Sequence, residues 1–329
     1  MVRTGSSVRF WLWAPKKSYK NFMDYLFQAI CNIFPHYIVG KNKFNKKIYY
    51  FIFSIFKIFL KGPFVIKFKN FKFYCYPGKN DYSRYVFTRG EMPDPYEINF
   101  FKSIVENKDS VFLDCGANCG FYSIPIASSN KNCQVIAFEP SNIEYEKIKK
   151  NIKLNSLKNI TVNKLAVSNK VQNLIFREEG KTIQSFSTGG SHIVNKISNK
   201  NLDYKVKATT IDSYLKKLPI SKSKKMIMKF DLEGHDLIAI YGAVKTIKKY
   251  NPIILFEFSK MIINNPDYSK EIFNKFLKKN KLIISNLRKK IYSINDLHRD
   301  ILGLGPNHDT IGNFILTTKN NLKTIKAPS

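Results

Sequence analysis

The chain has 329 residues, 44% of them hydrophobic and 14% aromatic, with 15 Gly and 13 Pro. That length suits one large α/β domain plus an extension, and the composition excludes a disordered polymer, a fibre, a low-complexity chain or a fixed-period repeat array. Lys plus Arg number 55 against 24 Asp plus Glu, a formal charge of +31 that favours polyanions and anionic surfaces. The same excess, with abundant Asn and Ile, is also what an AT-rich coding sequence produces, so charge alone names no substrate.

Residues 1–62 form a basic, aromatic extension in which Asp24 is the only acid. Its apolar run Ile48 to Leu60 contains Lys57 and is shorter than the roughly 20 residues that span a bilayer. The run suits either a helix packed over the main domain or one lying at a membrane interface. Five scattered cysteines, Cys31, Cys75, Cys115, Cys119 and Cys133, fit a reducing compartment rather than a disulfide scaffold, and the expected location is cytoplasmic, with peripheral membrane contact through 1–62 as the alternative. The spacing of Cys115 and Cys119 suits neither a zinc knuckle nor a redox pair, and no metal site is expected.

Residues 63–329 read as the main domain, with a cofactor-binding core at 109–258. From Pro63 to Tyr76 aromatic residues alternate with Lys and Asn, a period-two pattern that predicts a hairpin. Pro93-Asp94-Pro95 then precedes a short helix over Tyr96 to Val105. Short apolar strands follow at Val111 to Leu113, Val135 to Phe138, Ile160 to Val162, Met226 to Phe230 and Ile253 to Phe256, alternating with longer helical stretches. That alternation predicts a parallel sheet covered by helices on both faces. A helix starts at Ser141, which can cap the turn while Glu144 reaches back to it. Lys281 to Ser285, Ile291 to Ile294 and Asn313 to Thr317 are expected to close the sheet.

In such a sheet the ligand sits beyond the carboxyl ends of the strands, where strand order reverses. After the first strand comes Asp114-Cys-Gly116-Ala-Asn118-Cys-Gly120, whose glycines let the backbone turn sharply and approach a ligand closely. A dinucleotide site would want glycine where Asn118 stands. A carboxylate at Asp114 would repel a pyrophosphate but suit the α-ammonium group of S-adenosylmethionine. Glu139, at the end of the second strand, follows Asp114 at about the interval of a ribose-binding acid, and Ala166 is a candidate for the adenine pocket.

The fourth strand runs into Lys229-Phe-Asp231-Leu-Glu233-Gly-His235-Asp236, the densest set of ionisable groups in the core. Methyl transfer is an in-line displacement that needs an aligned acceptor and, for a hydroxyl, a base. His235 has a suitable intrinsic pKa, and Asp231 or Glu233 can orient it or the acceptor. The bland alternatives are that Asp231 caps a turn and that His235 is an exposed helix residue. Glu257, ending the fifth strand, and His192, in a polar loop after Gly189 and Gly190, are candidate substrate contacts.

Together these motifs resemble the FkbM family of methyltransferases: D-x-G-A-N-x-G at Asp114 to Gly120, F-E-P at Phe138 to Pro140, T-x-D at Thr210 to Asp212, D-x-E-G-x-E at Asp231 to Asp236, and a proline-led fifth strand at Pro252 to Glu257. Asp236 departs from the family's usual Glu. The resemblance implies a Rossmann-like class I methyltransferase domain with a seven-stranded, mostly parallel sheet. It also implies S-adenosylmethionine as methyl donor and O-methylation of a sugar, glycan, glycolipid or natural product. A hydroxyl-bearing saccharide or lipid-linked saccharide is the expected partner, rather than nucleic acid. Two other readings stand beside it: an RNA or DNA methyltransferase, suggested by the charge and by Asp94-Pro95-Tyr96, and a non-catalytic membrane-peripheral scaffold, suggested by the run at Ile48.

Overall fold

The computed structural model describes residues 62–76, 83–178, 190–305 and 310–325. The extension 1–61 and both readings of its apolar run lie outside the described residues. The hairpin forms as expected, with β1 (Phe64–Lys67) antiparallel to β2 (Lys72–Cys75). Its inward residues Phe64, Ile66, Phe73 and Cys75 join the core, as period-two alternation requires. A helix α1 (Ser83–Arg89) and then α2 (Pro95–Val105) follow. Pro95 sits in the first turn of α2, where its missing N–H costs nothing, and Ile98, Phe101, Ile104 and Val105 form the buried face.

The principal sheet has eight strands in the order β13-β12-β14-β11-β10-β3-β4-β5. Its parallel half is β3 (Ser110–Cys115), β4 (Cys133–Phe138), β5 (Ile160–Asn163), β10 (Lys225–Phe230) and β11 (Ile253–Ser259). Residues of β3 alternate between two cores: Phe112 packs on one face, Val111 and Leu113 on the other. Burial on both faces is why these strands read as continuous apolar runs. The chain steps outward from β3 through β4 to β5, then returns to place β10 on the other side of β3. The switch point therefore lies between β3 and β10.

Antiparallel strands close the sheet: β14 (Thr310–Thr318) pairs with β11, and β12 (Leu282–Ser285) with β14. The two-residue edge β13 (Ile291–Tyr292) lies in the run expected as a strand and brings the sheet to eight strands, against the seven the resemblance implies. It stops short of Ile294 because Ser293 and Asp296 form a reciprocal capping box that starts a helix there. At Ser141 the expected box is only half made. Ser141 Oγ accepts from Glu144 N at 3.1 Å, but the Ser141 N–H goes to Glu139 and the Glu144 carboxylate turns to Lys147 at 2.7 Å.

A second, four-stranded sheet was not expected. Between the third and fourth core strands, where helical stretches and a polar loop at His192 were expected, the chain forms β6 (Ala166–Val167), β7 (Gln172–Arg177), β8 (His192–Val194) and β9 (Asp203–Thr209), in the order β6-β9-β7-β8. His192 thus lies on a strand. Ala166, Phe176, Val206 and Ala208 form its small apolar cluster and Val167 packs into the main core; β9 alternates buried and exposed residues, while β7 and β8 do not.

Candidate active site

A cavity of about 440 Å³ opens at the carboxyl ends of β3, β4, β10 and β11, roofed on one side by the second sheet. Of the sequence candidates, Gly116, Asn118, Glu139, Ala166, His192, Asp231, Glu233, His235 and Glu257 all line it, whereas Asp114 and Gly120 do not. The cavity thus gathers residues from six strand ends and turns spread over more than half the chain.

The turn after β3 is built by backbone conformation. Gly116 (φ 85°), Asn118 (φ 51°) and Gly120 (φ 97°) are all left-handed. At Gly116 a Cβ would stand 2.0 Å from the Asp231 carbonyl oxygen, so only glycine lets the two turns meet. Gly120 is needed behind the cavity, where its Cβ would meet Ile124 Cγ1 at 2.8 Å. Asn118, the residue that separated this turn from a dinucleotide loop, bonds its own side chain to the Cys119 N–H at 2.7 Å, a local bond that suits Asn to the left-handed region.

Glu139 accepts the N–H groups of Asn118 (2.7 Å) and Ser141 (2.8 Å), one on each carboxylate oxygen. Burial pushes its pKa up to about 8, and each oxygen keeps a lone pair for a ligand hydroxyl. Asp114 lies one layer behind, fully buried, with Oδ2 accepting from Ser123 Oγ at 2.6 Å and Oδ1 without a partner among the described residues. Burial raises its pKa too.

Asp231 and Lys229 form the charged hub. Lys229 is the register partner of Asp114 on the neighbouring strand and is nearly enclosed, while Asp231 is 42% exposed toward the cavity. The Lys229 ammonium lies 2.8 Å from Asp231 Oδ2 and 4.4 Å from the centre of the Tyr122 ring. Burial would lower its pKa, yet the carboxylates of Asp231, Asp114 and Asp94 raise it, so the lysine stays charged. Tyr122 in turn donates to Asp94 Oδ2 at 3.0 Å. Asp231 therefore makes an ion pair rather than capping a turn. Asp94, Tyr122 and Lys229 were not among the candidate site residues. Asp94 and Lys229 stood within quoted motifs, but nothing in the sequence brings Tyr122 to them.

Glu233 (φ 51°) and Gly234 (φ 89°) turn the chain sharply, and Asp236 braces the turn by accepting from Leu232 N (3.3 Å) and Gly234 N (3.2 Å). The shorter Asp at 236 suits this close local role. Burial pushes Glu233 up to about 9 and Glu257 up to about 7, with the neighbouring Asp231 charge adding to both. His235 is buried at the start of the helix Asp236–Tyr241, with Nε2 2.9 Å from Ser168 Oγ. Desolvation drives its pKa down to about 4, which weakens it as a base. His192 Nδ1 lies 2.6 Å from the Gly190 carbonyl oxygen. Among the described residues no group of three His, Cys, Asp or Glu is arranged to hold a metal ion, and no helix is long and apolar enough to cross a membrane.

Residues 114–283, just over half of the chain, match the model of the methyltransferase FkbM domain. Among solved structures, the methyltransferase FkbM from Methylobacillus flagellatus is 16% identical with a TM-score of 0.35, over 71% of this chain and 52% of its own. The chain thus spans about half the length of that protein. M. jannaschii TYW2 in complex with AdoMet is 13% identical with a TM-score of 0.35, over 77% and 85% of the two chains. An rRNA methylase from Streptococcus thermophilus is 11% identical with a TM-score of 0.35, over 69% and 97%. No curated protein sequence matches the chain.

Proposed function

The chain belongs to the FkbM methyltransferase family, and from that premise we propose that it transfers the methyl group of S-adenosylmethionine to a hydroxyl of a sugar, glycan or glycolipid. The observation that carries the reading is that Asp231, an ion-paired carboxylate open to solvent, shares one cavity with Gly116, Asn118 and Glu139. A proton acceptor and a donor cradle thus face the same space.

The residues fit the donor. Gly116 clears the backbone for close approach, Glu139 has free lone pairs for both ribose hydroxyls, and Ala166 offers a small apolar wall for the adenine. Asp114 acts from behind the wall through its field, with an unpartnered oxygen. When bound, S-adenosylmethionine supplies an electrophilic methyl group on a positively charged sulfur.

With the donor bound, Asp231 would take the acceptor's hydroxyl proton as the new O–C bond forms and the methyl–sulfur bond breaks, S-adenosylhomocysteine leaving as the neutral thioether, and Lys229 holds that carboxylate in place without competing for the cavity. Glu233, its pKa pushed up to about 9 by burial and by the Asp231 charge, faces the acceptor across the cavity. His235 stays neutral and serves by fixing the loop through Ser168, while Glu257 and His192 flank the acceptor. Isothermal titration tests the donor site: S-adenosylmethionine is expected to bind, and Glu139→Ala to weaken it at least about tenfold. Absence of binding to the wild-type chain would refute the reading.

A further inference from the structure

The cavity is lined by acids in a chain whose surplus is basic. Among the described residues six acids line it, Asp94, Glu139, Glu144, Asp231, Glu233 and Glu257, against one Lys or Arg, Lys229. A general excess of lysine cannot produce this. Nor is Lys229 available to an incoming anion: it is 3% exposed, pairs with Asp231 at 2.8 Å, is covered by the Tyr122 ring, and has Asp114 beside it on the next strand.

Glu139 and Glu144 stand at the β4 end, where the donor's ribose belongs. Asp94, Asp231, Glu233 and Glu257 stand at the other end, around the ends of β10 and β11 and the start of α2. The donor carries a sulfonium and an ammonium against one carboxylate, a net single positive charge. Were all four ionised, the donor and Lys229 would offset two of them and leave two. In a water-poor cleft such charge is costly unless a counter-charge arrives. The high pKa values of Glu233 and Glu257 register that cost, since in the empty cleft both hold protons that an incoming cation would release.

We infer that the acceptor unit entering this cleft is positively charged, a hydroxyl-bearing unit with a protonated amine beside the methylated oxygen, as in an amino sugar, and that phosphorylated or carboxylated units are rejected. This deepens the methyl-transfer reading and rests on it. The basic outer surface remains free to hold an anionic carrier while the cleft selects the sign of the group that enters it.

The full chain saturated with S-adenosylhomocysteine is exposed to D-glucosamine, D-glucose and D-glucuronate together, and binding is read by saturation-transfer NMR. Glucosamine is expected to respond at least about tenfold more strongly than glucose, with no response from glucuronate. The Glu233→Gln/Glu257→Gln double variant keeps the volume but removes two carboxylates, and should bring the three within about threefold. Retained S-adenosylhomocysteine binding shows that the variant is folded, and Glu257→Gln alone serves if it is not. Equal responses from the three sugars, strong or absent, overturn the inference, as does preference for glucuronate. Failure of the wild-type chain to bind S-adenosylhomocysteine would instead remove the methyl-transfer reading.

Discussion

Glu139 Oε2 accepts the backbone N–H of Asn118 at 2.7 Å, so the acid at the end of β4 locks the left-handed turn at the end of β3. One carboxylate thus both shapes the glycine turn and faces the cavity. Glu139→Gln preserves the volume but can accept on one oxygen only, leaving the Asn118 or Ser141 N–H unpaired at a cost of about 1–3 kcal/mol. Both thermal stability and donor affinity should fall. Retention of both, in a melt with and without S-adenosylhomocysteine, would contradict this dual role.

Gly116→Ala forces a Cβ to within 2.0 Å of the Asp231 carbonyl at a φ of 85°. The left-handed conformation alone costs about 1–2 kcal/mol, and the clash must push the β10 turn away. Reduced stability and loss of S-adenosylmethionine binding are expected together, measured by denaturant unfolding and calorimetry. Wild-type affinity in this variant would show that the two turns need not touch.

Asp231→Asn retains an oxygen to accept from Lys229 but removes the base. Methyl transfer to the acceptor found by screening with labelled donor should drop by about 10²–10⁴ with donor affinity changed only a few-fold. If His235→Gln abolishes transfer while Asp231→Asn does not, the proton goes to the imidazole instead. Ser168→Ala separates the two further, since it deprives His235 Nε2 of its partner and should cost about 1–3 kcal/mol of stability in chemical denaturation without removing the base.

Glu233 has a folded pKa of about 9 against an ordinary 4.5, so the native state holds its proton more tightly than the unfolded chain does. Its stabilising contribution is complete below pH 4.5 and lost as pH rises through about 9. His235, lowered from 6.5 to about 4, acts in a separate window, losing its contribution as pH falls through about 4. The melting temperature of the ligand-free chain should therefore decline between about pH 7 and 9, and decline less in Glu233→Gln. Parallel slopes for the two proteins would show that Glu233 is not the titrating group.

Much of this was written in the sequence. The five core strands were legible because a strand buried on both faces must be apolar throughout, as Val111, Phe112 and Leu113 are. The turns were legible because left-handed backbone at Gly116, Gly120 and Gly234 demands glycine, and the acids that end strands had to lie at the ligand edge of a parallel sheet. Local rules also sufficed for the helix start at Ser141.

Tertiary structure decided what depends on neighbours distant in the chain. The second sheet was missed although β9 alternates buried Val206 and Ala208 with exposed Lys205 and Lys207; its strands β7 and β8 show no such alternation, and the sheet brings His192 and Phe176 over the cavity. Glu144 turned from its cap to Lys147 because Glu139 had already taken the Ser141 N–H. His235 lost its basicity to burial beside Ser168, 67 residues away, and Asp231 gained the base's position through Lys229 and the Tyr122 ring. Sequence alone determined which residues could do chemistry, since residue type and backbone demand are local. Their protonation, their partners and the negative sign of the cleft depend on desolvation and distance, and those exist only once the chain has folded.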